Sequence, residues 1–264
     1  MATTIKASEC DDQLNQLAGE ISSVAAQTLT HADSREALRR LLRASRCTNA
    51  VLAIYGKQPH PLLADLVNIA ARVPILVLLR QYRAVKIELR RFLETSLRYV
   101  YFLEHPVEFA SYEDSPGTGY DTKENSPIAY CSSRSFQWYR RYTIERFSRA
   151  NLEHVTRALQ KIEEQYSHFS RAAHVGPHND LGKPESTAEP LDAAYVSELA
   201  GFAQDSFSSS LTIILSIGDI NRDALDAEQM AHLKWLLGGE QAKRFEGDPR
   251  FEGIVRHRHF PSAI

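Results

Sequence analysis

The residues best equipped for chemistry in this 264-residue chain lie in one stretch, Tyr166 to Asp180 (YSHFSRAAHVGPHND). It gathers Arg171, His174 and His178, one guanidinium and two imidazoles. Imidazole exchanges a proton near neutral pH, and arginine presents a permanently charged fork that fits a phosphate. The combination suits phosphodiester cleavage, with His178 or His174 as general base and Arg171 orienting the phosphate. The same grouping serves equally as helix capping, because Gly176-Pro177 stops a helix and basic side chains meet its last carbonyls. His174 and His178 also have the i,i+4 spacing of a zinc pair. Gly176-Pro177 breaks the helix that would aim both at one ion, so no metal is expected there. No GxGxxG, Walker or GxSxG motif occurs, and no cofactor is expected.

The elements that must position these groups read as helices. Residues 11–29 place Leu14, Leu17, Ile21 and Val24 near helical spacing, and SREALRRLLRAS from Ser34 places Leu38, Leu41 and Leu42 on one side. NAVLAIY (49–55) fits a short strand or a buried helical turn. A long periodic segment runs from His60-Pro61 to about Glu104, with Leu78, Tyr82, Val85, Leu89, Phe92, Ser96, Val100 and Leu103 on one face. Pro74 is expected to kink or restart it. An acidic loop over 106–133 follows, then a basic helical region from Arg134 to about Ala173, broken near Ser148–Asn151. A second loop spans 175–190. Helices over 191–217, ending in the apolar LTIILSI, and 226–246 complete an all-α fold with long loops.

Composition narrows the class. Apolar residues make up 43% and the net charge is −2, as in a globular protein rather than a polycation. Charge is uneven: 72–101 and 134–161 each carry +5, whereas 185–240 carries −8. Side by side, the two basic segments would form a face for a polyanion; Arg140, Arg141 and Arg149 are the candidate RNA contacts, with Trp138, Tyr139 and Tyr142 beside them. At helical spacing such aromatics equally serve as core. Cys10, Cys47 and Cys131 show no CxxC spacing, which fits reduced thiols and a cytoplasmic location. The first residues have no apolar core, so no secretory leader is expected, and the longest apolar run, Val73–Leu79, is too short for a membrane span.

The helix ELRRFLETSLRYVYFLEHPVEF, the basic helical region after the acidic loop, and YSHFSRAAHVG leading into a last apolar helix together resemble the HEPN superfamily over about residues 60–240. That family consists of α-helical domains of bacterial defence and toxin–antitoxin systems. The resemblance implies a HEPN-like helical bundle over 59–248, an N-terminal helical region over 1–58 and a basic tail over 249–264. Active members carry an arginine and a histidine separated by about four to six residues; Arg171 and His178 have six between them. Gly176-Pro177 inside the motif and Ala172 after the arginine depart from the family pattern. The resemblance further implies metal-independent RNA cleavage leaving a 2′,3′-cyclic phosphate, and a homodimer with one composite site. The alternative is a non-catalytic helical adaptor that binds an ATPase or nuclease from a neighbouring gene.

Overall fold

A computed structural model describes residues 7–55, 60–104, 109–110, 149–173, 191–217 and 227–237, with no strand among them. The chain is all-α. The described helices are α1 (Ala7–Thr30), α2 (Ala32–Tyr55), α3 (Pro61–Leu78), α4 (Tyr82–Glu104), α5 (Arg149–Ala173), α6 (Ala193–Ile217) and α7 (Ala227–Leu237). NAVLAIY resolves as the last part of α2, where Val51 and Leu52 are buried. Most of the 106–133 loop, all of the 175–190 loop and the tail 249–264 lie outside the described residues.

Helix α3 packs between α2 and α4. His60 opens it: its Nδ1 accepts the Leu62 N–H at 3.3 Å, and Pro61 supplies the preset φ of a first helical residue. The His60 ring stacks on Phe109 and meets the edge of Tyr99. Burial lowers its pKa. By length and composition α3 is also the one described helix able to cross a membrane, which a count of uninterrupted apolar runs misses. In this fold Leu66, Ile69 and Val73 are buried in the core of the bundle, whereas Ile75 is 55% exposed.

Pro74 neither breaks nor restarts the segment. It sits inside α3, and the break falls at Leu79–Gln81 instead. A proline cannot donate to the carbonyl four residues back, here that of Ala70. The Ser45 hydroxyl of α2 donates to that carbonyl at 2.6 Å, and both residues are buried. The helix continues with the Ala70 carbonyl paired. At the true break, Arg80 N–H donates to the Val77 carbonyl and Gln81 N–H to that of Leu76, a Schellman ending. Arg80 takes the left-handed conformation (φ 55°) that glycine usually provides there. Its guanidinium donates to Gln27 Oε1 at 3.1 Å, tying the end of α1 to the α3–α4 corner.

Paired contacts set the directions. Arg72–Glu88 and Arg91–Asp65 make α3 and α4 antiparallel. Tyr82–Tyr195 and Phe92–Phe207 run α4 parallel to α6. Lys161–Asp205 and His168–Phe202 run α5 antiparallel to α6. The expected face of α4 is the core face: Tyr82, Val85, Leu89, Phe92, Ser96 and Val100 are all buried. LTIILSI packs inward too, with Leu211, Ile213, Ile214 and Leu215 buried, so these four residues supply core rather than interface. Cys47 is buried, and desolvation pushes its thiol up to about 12, leaving no nucleophile there.

Two outcomes are expected. Ser45→Ala orphans a buried carbonyl and should cost about 1–3 kcal/mol in urea unfolding. In a Pro74→Ala background, where an N–H again serves Ala70, the same change should cost clearly less; equal costs in both backgrounds refute the compensation. His60 is held neutral in the folded state, so its contribution is complete above the unfolded value of 6.5 and is lost as pH falls below it. Wild type should lose more stability between pH 7.5 and 5.5 than His60→Asn, which retains a cap without an imidazole.

Candidate functional site

Helix α5 is amphipathic, and Leu159, Ile162 and Phe169 bury its apolar stripe against the bundle. Gln165 continues the stripe with a polar group. Its Nε2 donates to the Phe202 carbonyl of α6 at 3.3 Å, and its Oε1 lies 2.9 Å from the buried Ser206 hydroxyl. These bonds fix the rotation of α5 against α6.

Toward α4 the seam is charged. Arg90 Nε donates to Glu94 Oε1 at 3.0 Å, an Arg90 NH2 proton goes to the Tyr166 hydroxyl at 3.0 Å, and that hydroxyl donates to Glu94 Oε1 at 3.0 Å. The guanidinium also lies 5.1 Å from the Tyr166 ring centre. Arg90 and Glu94 are only 23% and 18% exposed, so the pair links two helices rather than decorating the polar side of one. Burial opposes the Arg90 charge, but Glu94 and Tyr166 outweigh it and raise its pKa. Burial first, then Glu94, raises that of Tyr166 and keeps its hydroxyl a donor.

The next turn of α5 carries the groups with chemical potential. His168 is half-buried, its ring 4.9 Å from that of Phe202. Arg171 follows it by three residues in the C-terminal turn of α5, which places both on neighbouring positions of one helix face. Arg149 is the first residue of the same helix. At 1.5 Å per residue the two arginines stand about 33 Å apart along its axis, so the helix does not bring them together. His174, His178, Arg140 and Arg141 lie outside the described residues. Among the described residues no group of three or more His, Cys, Asp or Glu could hold a metal.

Of the +5 charge expected to make a positive face over 72–101, one unit is offset from outside the segment, by Asp65 on Arg91. Arg72, Arg90 and Arg91 each face a carboxylate, as does Lys161 of α5. A further basic surface lies on α2, where Arg35, Arg39, Arg40 and Arg46 are exposed. Its signal, five arginines between residues 35 and 46, was present in the sequence beside the leucine periodicity that marks the helix. Tyr166 and His168 had no such signal, because only packing gives them partners. Comparison with protein-family models, curated proteins and solved structures finds no match.

The α4–α5 link yields a direct test. Tyr166→Phe keeps the ring and removes the hydroxyl that both donates to Glu94 and accepts from Arg90. It should lower unfolding stability by about 1.5–3 kcal/mol, the range for hydrogen bonds to charged groups. A loss under about 0.5 kcal/mol would show that the hydroxyl does not hold the seam.

Proposed function

We propose that the chain is a HEPN-like RNA-binding or RNA-cleaving effector of a prokaryotic defence or toxin–antitoxin system, acting in the cytoplasm. The observation that carries the reading is the anchoring of the helix on which Arg171 stands. Continuous helix from Tyr166 to Arg171 is tied to α4 through Arg90 and Glu94 and to α6 through Gln165. An anchored backbone at this position limits the reorganisation that electrostatic catalysis must avoid. His174 and His178 follow directly in the chain.

In the cleaving version His178, or His174, removes the proton of a ribose 2′-hydroxyl. The O2′ attacks phosphorus, the bond to the 5′ oxygen breaks, and that oxygen takes up a proton from an imidazolium or water. Products are a 2′,3′-cyclic phosphate and a 5′-hydroxyl. Arg171 binds the non-bridging oxygens as charge builds on them. Pairing of two protomers into one composite site belongs to the same proposal, as the family resemblance implies. With Leu211 and Ile213–Leu215 buried, the material for pairing lies elsewhere.

A second reading, the non-catalytic adaptor, draws on α1. Leu14, Leu17 and Ile21 are 62%, 41% and 43% exposed and recur at a and d spacing. Such a stripe fits a partner helix, as on an ATPase or nuclease from a neighbouring gene.

The two readings separate in one set of assays. With unmodified RNA, His178→Ala or Arg171→Ala should cut cleavage by about 10²–10⁴ while thermal melting stays unchanged. EDTA should leave the wild-type rate intact. If wild type cuts no RNA, alone or with its genomic neighbour, the cleaving version is wrong. Retention of a neighbouring gene product by wild type, and its loss with Leu14→Asp/Ile21→Asp, would then establish the adaptor.

A further inference from the structure

The exposed side of α2 is dominated by arginine, with Asp33 and Glu36 as its exposed acids. Arg35, Arg39, Arg40 and Arg46 are exposed, with Leu42 among them at 43% exposure. Arg43 continues the row and lies 4.3 Å above the ring of Trp235 on α7. Arg39 pairs with Glu36 at 3.6 Å, with both side chains well exposed, so the pair neutralises little. Among the described residues no carboxylate pairs with Arg35, Arg40 or Arg46. On α3, α4 and α5, by comparison, Arg72, Arg90, Arg91 and Lys161 each have an acid within 4 Å.

Burying one side of α2 does not require arginine on the other. Ala37, Leu38, Leu41, Ala44, Ser45 and Thr48 hold the helix in the core, and any polar residue would solubilise its outer face. Arginine without a single lysine gives repeated planar forks, the donor geometry that matches phosphate oxygens two at a time. Arg35 to Arg46 spans about 16 Å along the helix at 1.5 Å per residue. One nucleic-acid strand sets about five phosphates in that length at 3.4 Å each. At one border, Trp235 is half-exposed beside Arg43, an aromatic flank of the kind on which bases stack.

We propose that this face of α2 is an RNA-binding track that grips the phosphate backbone through Arg35, Arg39, Arg40 and Arg46. The choice of RNA over other polyanions rests on the effector reading above, but the track needs neither Arg171 nor a histidine. Its contacts are sequence-independent, so binding is steeply salt-dependent and any selectivity comes from elsewhere on the molecule. Leu42 lies between the arginines, where a ribose or base edge would meet an apolar contact.

The test uses the full chain and a fluorescein-labelled 20-nucleotide 2′-O-methyl oligouridine, which cannot be cleaved through its 2′ oxygen. Fluorescence anisotropy between 50 and 200 mM KCl gives Kd and its salt slope. The variant R35Q/R39Q/R40Q/R46Q should weaken binding at least 10-fold at 50 mM KCl. It should also flatten the slope by about 3, four lost phosphate contacts at about 0.7 each for a single strand. The matching four-lysine variant restores charge and should recover most of the affinity, which excludes misfolding as the cause. Equal binding by wild type and the glutamine variant overturns the track, as does absence of wild-type binding at 50 mM KCl. Capture by phosphatidylserine vesicles, without RNA binding, also overturns it and assigns the face to a membrane. Cleavage of unmodified RNA is measured in parallel. If His178→Ala abolishes cleavage while the glutamine variant binds normally, the track fails and the effector reading stands. Tight, arginine-dependent binding without cleavage leaves the track standing and removes the catalytic role of Arg171 and His178.

Discussion

A serine hydroxyl on one helix and a carbonyl on the next hold the bundle in register. Pro74 denies the Ala70 carbonyl its ordinary partner in the middle of α3, and Ser45 of α2 supplies another at 2.6 Å in a dry setting. Without that bond α3 would carry an unpaired acceptor in the core or bend to expose it, and either costs about 1–3 kcal/mol. Because it stays helical through Pro74, α3 meets α2 on one side and α4 on the other along its length. The position of α4 then fixes Arg90 and Glu94, which receive Tyr166 and with it the C-terminal part of α5. Ser45 thus influences Arg171 through a chain of packed helices, although the two residues share no contact shown here. This is positional dependence, and it implies no switching between states.

The distribution of charge follows a similar division. On α3, α4 and α5 the cations sit near seams between helices, where an unpaired guanidinium would be partly desolvated, and each of Arg72, Arg90, Arg91 and Lys161 faces a carboxylate. On α2 the arginines point to water, where desolvation is absent and repulsion along one face is screened by salt. Folding therefore tolerates the arginine row without requiring it. Surface charge that stability does not demand is where a binding role is most readily accommodated.

Helical class and the main buried face of α4 were legible because apolar spacing at three and four residues survives any choice of neighbour. Position within the bundle was less so. The corner after α3 was hidden because an arginine rather than a glycine takes the left-handed place, leaving no punctuation in LLRQY. Pro74 misled in the other direction, since the compensating Ser45 is 25 residues away from the carbonyl it serves. NAVLAIY was ambiguous because short apolar runs fit strand or helix until their packing is known. In the candidate site, Arg171 was legible from its residue type. The Arg90–Glu94 pair was legible only as an i,i+4 pair, and its bridging by Tyr166 depends on a contact 72 residues distant. The +5 charge of 72–101 was legible as a sum, but the approach of Asp65 of α3 to Arg91 was not, because it depends on packing.

Helix α1 brings the electrostatic and packing arguments together. Gln27 fastens its last turn to Arg80 at the α3–α4 corner and Thr28 is buried, while residues 14–23 are exposed throughout. An isolated helix gains little from propensity alone, so the Leu14, Leu17 and Ile21 stripe adds stability only when something covers it. The helix carries Glu9, Asp11, Asp12 and Glu20 with no lysine or arginine. Those acids lie in its first two thirds, so two copies side by side in parallel would oppose like charges, whereas an antiparallel pair would set each acidic end against the neutral SSVAAQTLT segment of the other. A basic partner helix would satisfy the same face more fully. Helix α1, whose sequence holds acids and no lysine or arginine, and the arginine row of α2 are therefore opposite in charge and joined by one bend at His31. A cationic partner suits the first and an anionic partner the second.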